Sequence, residues 1–186
     1  MRLIKKTFMT VVLSAVMLGG MSLLSGCSSD EATPANLNGK WELKSGNVAI
    51  SYQYNQTVYG DDPTKADAAL AKLKTFVTDI QKNLSKVKAI NITLPSTVSI
   101  SYEDGTSELG TIVVNDVSDS YKTFKITSMD SNLIIEGEAN ATTMLIYYGK
   151  TYILPILHAS LSEEEYTYFD SLFQSIIGVA EFAKTS

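Results

Sequence analysis

The sequence predicts a mainly β (α+β) domain: an antiparallel meander of about eight strands, closing into a barrel or curling into a sandwich, with two helices packed on it. Three observations predict this. From residue 91 onward apolar and polar residues alternate in short runs, separated by turn-forming pairs such as Asp104-Gly105, Asn115-Asp116 and Gly149-Lys150. Two stretches, near 63–86 and 163–183, carry apolar residues at spacings of three and four, the helical period. Residues 144–148 and 152–156, either side of Gly149-Lys150, are apolar on both parities, so a sheet containing them must be covered on both faces.

Taken in order, residues 1–26 form an export segment. Arg2, Lys5 and Lys6 precede an uncharged, largely apolar run over 7–24, the pattern of a signal peptide. The run's 18 residues also sit at the short edge of a membrane-spanning length. Leu24-Ser25-Gly26-Cys27 closes the segment and resembles the lipobox of bacterial lipoproteins, where small residues fit a signal peptidase and the Cys thiol is the nucleophile for lipid transfer. That resemblance implies cleavage before Cys27 and a diacylglycerol on its sulfur. The membrane partner would then be held by acyl chains, at roughly 0.8 kcal/mol per buried methylene. Cys27 is the sole cysteine, so the mature chain has no intramolecular disulfide and depends on its core.

Residues 27–38 are a lipidated tether, polar and without hydrophobic periodicity. Within it Ser29-Asp30-Glu31 is similar to the short acidic signal that sends lipoproteins of Bacteroidetes to the cell surface, and it equally suits an ordinary tether. Removing residues 1–26 leaves 160 of 186 residues, with 39–186 enough for one domain, and takes the net charge from −5 to −8. An acidic chain does not suit nucleic acid, whose phosphates need clustered Lys and Arg.

The folded part opens at Gly39-Lys40-Trp41, with the chain's only Trp at the start of a first strand. Val48, Ile50, Tyr52 and Tyr54 then alternate with polar or small residues, a second half-buried strand. Asp62-Pro63 caps and starts a helix over 63–86, with Ala66, Leu70, Leu73, Val77, Ile80 and Leu84 along one stripe. Val98, Ile100 and Tyr102 lie on one face of the next strand, before the Asp104-Gly105 hairpin turn. Further strands are expected over 108–114, 121–127, 132–139, 142–148 and 151–157. The final helix starts at Ser162-Glu163-Glu164-Glu165, a capping box with acidic residues at the positive end of the helix dipole. Its buried arc is Tyr166, Phe169, Phe173, Ile176, Ile177 and Ala180.

Catalytic groups are scarce. His158 is the single histidine and the one cysteine is committed to lipid, so no nucleophilic Cys/His pair, no metal site and no cofactor is expected. A Ser/His/Asp triad would need His158 beside Ser160 or Ser162; a plain loop histidine is the simpler account. The chain is instead rich in tyrosine, ten against six Phe. Tyr52, Tyr54, Tyr102, Tyr148 and Tyr152 fall on inward strand positions, where a phenol suits a semi-polar cavity and also suits a strand for its own sake. Asp170-Ser171-Leu172 looks like the short O-glycosylation sequon of Bacteroidetes.

Gly39-x-Trp41 resembles the opening of lipocalins and their calycin relatives, in which the Trp packs over the base of the barrel. With the lipobox, the acidic tether and the strand–helix–meander order, the chain resembles the small lipocalin-like lipoproteins of Bacteroidetes. The resemblance implies an eight-stranded β-barrel and an outer-membrane lipoprotein exposed on the cell surface. It does not name a substrate. The helix inserted after the second strand departs from the usual lipocalin hairpin. Two roles follow: a non-catalytic binding module for a small, partly apolar ligand, or a surface interaction protein with a packed interior.

Overall fold

A computed structural model describes residues 33–131 and 133–186. Leu24, Ser25, Gly26, Cys27, Ser29, Asp30 and Glu31 lie outside the described residues. Twelve elements follow one another: β1 (Gly39–Tyr54), α1 (Gln56–Asp61), α2 (Pro63–Leu84), β2 (Val87–Thr93), β3 (Thr97–Tyr102), β4 (Ser107–Ser118), β5 (Tyr121–Ser128), β6 (Ile134–Ala139), β7 (Thr143–Tyr148), α3 (Lys150–His158), α4 (Glu163–Leu172) and β8 (Phe173–Lys184). Every strand pairs antiparallel with the next, and β8 returns to β1 to close an eight-stranded barrel. Alternation sets the inside: Ile50, Ile90, Ile100, Ile112, Phe124 and Ile146 are all buried in one continuous hydrophobic cluster.

Because each strand reverses direction, the four helices collect at the end where β1 finishes and β8 begins. Asp62 caps α2 by accepting from Lys65 N at 3.0 Å, and Pro63 occupies the first turn. Ala66, Ala69, Leu73, Ile80 and Leu84 form its buried stripe. Gln81 Nε2 ties this helix to the strand below by donating to Val48 O at 2.8 Å. The capping box of α4 is present in both directions between Ser162 and Glu165. Lys72 bridges from α2 to Glu165 at 2.5 Å, and Lys150 bridges from α3 to Asp170 at 2.7 Å, so the helices are laced to one another.

The opposite end is closed by the chain that leads into β1. Ala35 N donates to Asp119 O at 2.7 Å in the β4–β5 turn, so residues 35–38 cross the base before Gly39 enters the sheet. Trp41 is wholly buried there, its Nε1 donating to Leu37 O at 2.9 Å, with Lys184 Nζ 5.5 Å over its ring. Gly39 has φ +111° and packs against the Ser186 carbonyl, a contact that a Cβ would prevent.

The eight strands are there, but two of them are not the expected ones. Residues 39–54 form one bulged strand, with a register shift between Leu43 and Val48, rather than two. The inserted helices therefore follow the first strand. The helix expected over 63–86 is there as Pro63–Leu84. Val87–Thr93 directly after it is a further strand that the alternation read from residue 91 onward does not include. Residues 151–157 are helical: Ile153, Leu154 and Leu157 are buried at helical spacing, and an apolar run this short fits either period. The final helix stops at Leu172 instead of near 183, and Phe173–Lys184 becomes β8. Ile176, Gly178, Ala180 and Phe182 alternate inward, and the β-branched Ile176, Ile177 and Val179 favour that extended form.

Candidate functional site

The helix-covered end of the barrel holds a carboxylate where the pattern calls for an apolar residue. Glu108 is the first inward position of β4, ahead of Gly110 and Ile112, and only 8 % of it is exposed. Tyr102 Oη donates to its Oε1 across the β3–β4 hairpin, and Ser128 Oγ, at the end of β5, donates to Oε2 at 2.7 Å. Ser131 Oγ donates to Ser128 Oγ at 3.1 Å, and the Asp130 and Ser131 amides donate to the same oxygen at 3.2 Å. Burial pushes the Glu108 carboxyl up, but the hydrogen bonds from Tyr102, Ser128 and Ser131 together outweigh it and hold the group below its ordinary value.

Tyr148, the last residue of β7, and Tyr152, in the first turn of α3, complete the nest with ring centroids 5.1 Å apart. Tyr148 is 1 % exposed, and among the described residues its hydroxyl has no hydrogen-bond partner. Burial pushes this phenol far up, and the neighbouring Tyr152 and Tyr102 add to it. Burial also raises Tyr152, with the Glu108 charge adding to the shift, and raises Tyr102, reinforced by its bond to Glu108. All three phenols are held in the neutral, donating form. The nest thus presents one unpaired hydroxyl beside an ionised carboxylate whose two oxygens are already engaged.

Of the five tyrosines singled out in the sequence, the fold brings together Tyr102, Tyr148 and Tyr152, the last from a helix rather than a strand. Tyr52 is buried elsewhere at the same end, edge-on to Phe173 at 5.7 Å, its phenol raised by burial and by Tyr54. Tyr54 is half-buried and stacks on Tyr59 at 5.1 Å. Glu108, Ser128 and Ser131 join them without a motif in the sequence to mark them. The available signal was Glu108 itself, a carboxylate on the apolar parity of an otherwise alternating strand.

His158 Nε2 lies 2.9 Å from Glu163 Oε1 and its ring packs edge-on to Tyr166, so the imidazole is paired with a carboxylate rather than with Ser160 or Ser162. Ser171 sits in the last turn of α4, exposed, its hydroxyl donating to Tyr168 O at 2.8 Å. Outside the barrel, Lys65, Glu163, Glu164, Thr167, Tyr168 and Ser171 line an open cleft of about 460 Å³ between α2 and α4. Among the described residues no His, Cys, Asp or Glu cluster could hold a metal ion.

No protein-family model, no curated protein and no solved structure matches the chain. Fold and site therefore define the class by themselves: a closed eight-stranded antiparallel β-barrel, capped at one end by helices, with a buried tyrosine–carboxylate nest beneath the cap.

Proposed function

We propose that this protein is a lipid-anchored lipoprotein of the cell envelope, related to the lipocalin-like lipoproteins of Bacteroidetes, and that it acts as a non-catalytic binding module. Its ligand is small and partly apolar, and it lodges where α3 covers the nest. The observation that carries the reading is the unpartnered hydroxyl of Tyr148. A buried polar group without a partner costs roughly 1–3 kcal/mol, so such an atom is retained where something else completes it. Leu133, whose carbonyl accepts from Ser128 N, and Leu154 of α3 belong to the same buried cluster and would hold the rest of the ligand.

N-Phenyl-1-naphthylamine, an apolar fluorophore with a single N–H, tests the reading. Saturable emission should appear with the wild type and weaken about tenfold in Tyr148→Phe, which is roughly one hydrogen bond. Equal binding by the two proteins counts against the site. The anchor is tested separately: labelled palmitate should enter the wild type and not Cys27→Ser. Protease added to intact cells should degrade the protein, and replacing Asp30 and Glu31 with Ala should protect it if that tripeptide directs surface export.

A second reading, a surface interaction protein with a packed interior, is favoured by a different observation. The outer wall of the barrel carries Leu109, Val113, Val117, Met129 and Ile134, each more than half exposed.

A further inference from the structure

That exposed wall is confined to one side. Leu109, Val113 and Val117 follow one another on the outer parity of β4. Met129 N donates to Leu109 O at 2.9 Å, and Ile134 pairs with Thr127, which itself pairs with Thr111 of β4. Between them the outward Lys125 is paired with Glu136, so this part of the wall carries balanced charge on an acidic chain. Two tyrosines flank it. Tyr121 donates to Glu138, which pushes its phenol up to about 12, and Tyr147 engages the same carboxylate from β7. Aliphatic side chains bordered by amphipathic phenols suit a boundary with oil on one side and water on the other.

The route of the chain says which boundary. Residues 35–38 enter from the β4–β5 turn, where Ala35 bonds Asp119, two residues beyond Val117. Eight residue steps separate Cys27 from Ala35, a reach of at most about 26–29 Å. A lipidated Cys27 would thus hold the bilayer within that distance of the β4–β5 turn, the base end of the wall. The base is mostly polar, with Asn36, Asn38, Asp119, Asn140 and Thr142 set beside Leu94 and Pro95 of the β2–β3 turn.

We propose that the outer wall of β4, β5 and β6 lies against the lipid surface into which Cys27 is anchored, with Val113 and Val117 at the headgroup level. This rests on the lipid anchor proposed above and not on the ligand reading. Lipidation consumes the only native thiol, so Val117→Cys and Ile177→Cys each carry a single labelling site. Ile177 is exposed on β8, across the barrel. Each full-length lipidated variant, labelled with an environment-sensitive fluorophore, is reconstituted in phosphatidylethanolamine–phosphatidylglycerol vesicles with or without doxyl-labelled phosphatidylcholine. The Val117→Cys label should shift to the blue and be quenched about twofold more than the Ile177→Cys label, as for a group within the interfacial zone. Failure of the chain to float with vesicles removes the anchor and this proposal with it. Flotation with water-like emission at both positions leaves the anchor and overturns the wall's role. A blue shift at Val117→Cys without doxyl quenching assigns the wall to a second copy and overturns it too.

Discussion

Tyr102 and Glu108 face each other across the β3–β4 hairpin, the phenol donating to one carboxylate oxygen while Ser128 occupies the other. Since these bonds favour the ionised form more than burial disfavours it, Glu108 keeps a pKa below its ordinary value in the folded chain. Such a carboxyl binds its proton more tightly when unfolded. Its contribution to stability is therefore complete above the unfolded pKa of about 4.3 and is lost as pH falls through the folded value. Glu108→Gln should cost about 1–3 kcal/mol at neutral pH, because neutral hydrogen bonds replace charge-assisted ones. It should also flatten the acid limb of stability against pH, leaving the part owed to Asp104 and Glu165, which are depressed as well. Urea midpoints measured across the acid range check both; an unchanged acid slope would show that the carboxylate is not held by its donors.

The same chemical change, Tyr to Phe, should act in opposite directions at two neighbouring residues. Tyr102→Phe removes a bond to a charged acceptor and should destabilise by about 1.5–3 kcal/mol. Tyr148→Phe removes a hydroxyl that has no partner among the described residues and should stabilise the unliganded chain by about 1 kcal/mol or more, while weakening ligand binding. Thermal unfolding of both variants, with the fluorophore titration beside it, makes the comparison. A loss of stability in Tyr148→Phe would mean that the hydroxyl is satisfied in solution.

Much of the fold was legible because local chemistry and tertiary structure agreed. Asp62-Pro63, Ser162 with Glu165, and Asp104-Gly105 mark caps and a turn that the structure contains, and the strands from Val98 to Tyr148 keep their period. Failures came where two periods fit one stretch. Phe173, Ile176, Ile177 and Ala180 satisfy a helical arc, yet Ile176, Gly178, Ala180 and Phe182 satisfy a strand, and pairing with both β1 and β7 decides it. Strand alternation places Tyr152 inward, whereas α3 delivers it over the nest. Glu108 was passed over because a lone carboxylate in a strand gives no hint of the three donors that meet it, which come from Tyr102, Ser128 and Ser131, up to 23 positions away in sequence.

Gly137 shows how tightly the wall is packed from inside. A Cβ at this inward position of β6 would collide with the Leu145 carbonyl and the Phe124 ring, whereas one at Gly149 would meet nothing. Backbone cannot yield as a flexible side chain can, so Gly137→Ala should cost about 1–3 kcal/mol and Gly149→Ala far less. Chemical denaturation of the pair tests this. Equal midpoints would mean that the barrel interior relaxes at little cost, and with it the tight packing around Phe124 would be lost as an explanation.

Phe173 stands at the joint where α4 ends and β8 begins, and its burial holds the cap to the barrel. Its ring is fully buried, edge-on to Tyr52 of β1 at 5.7 Å and tilted against Phe169 of α4 at 5.3 Å. One side chain thus joins the last helix, the closing strand and the strand that β8 must find to close the barrel. Truncating a buried Phe to Ala typically costs about 3–5 kcal/mol, against a whole-domain stability of roughly 5–15. Phe173→Ala should therefore lower the unfolding midpoint sharply, while Gln174→Ala, the next residue but exposed, should change it little. Since β8 supplies both closing seams, the loss should also speed hydrogen exchange along β1 and β7 more than along β3 and β4, the pairs farthest from the seam. Exchange that rises uniformly around the barrel would show that the joint sets global stability alone. Unchanged exchange and midpoint would show that neither the cap nor the closure depends on this ring.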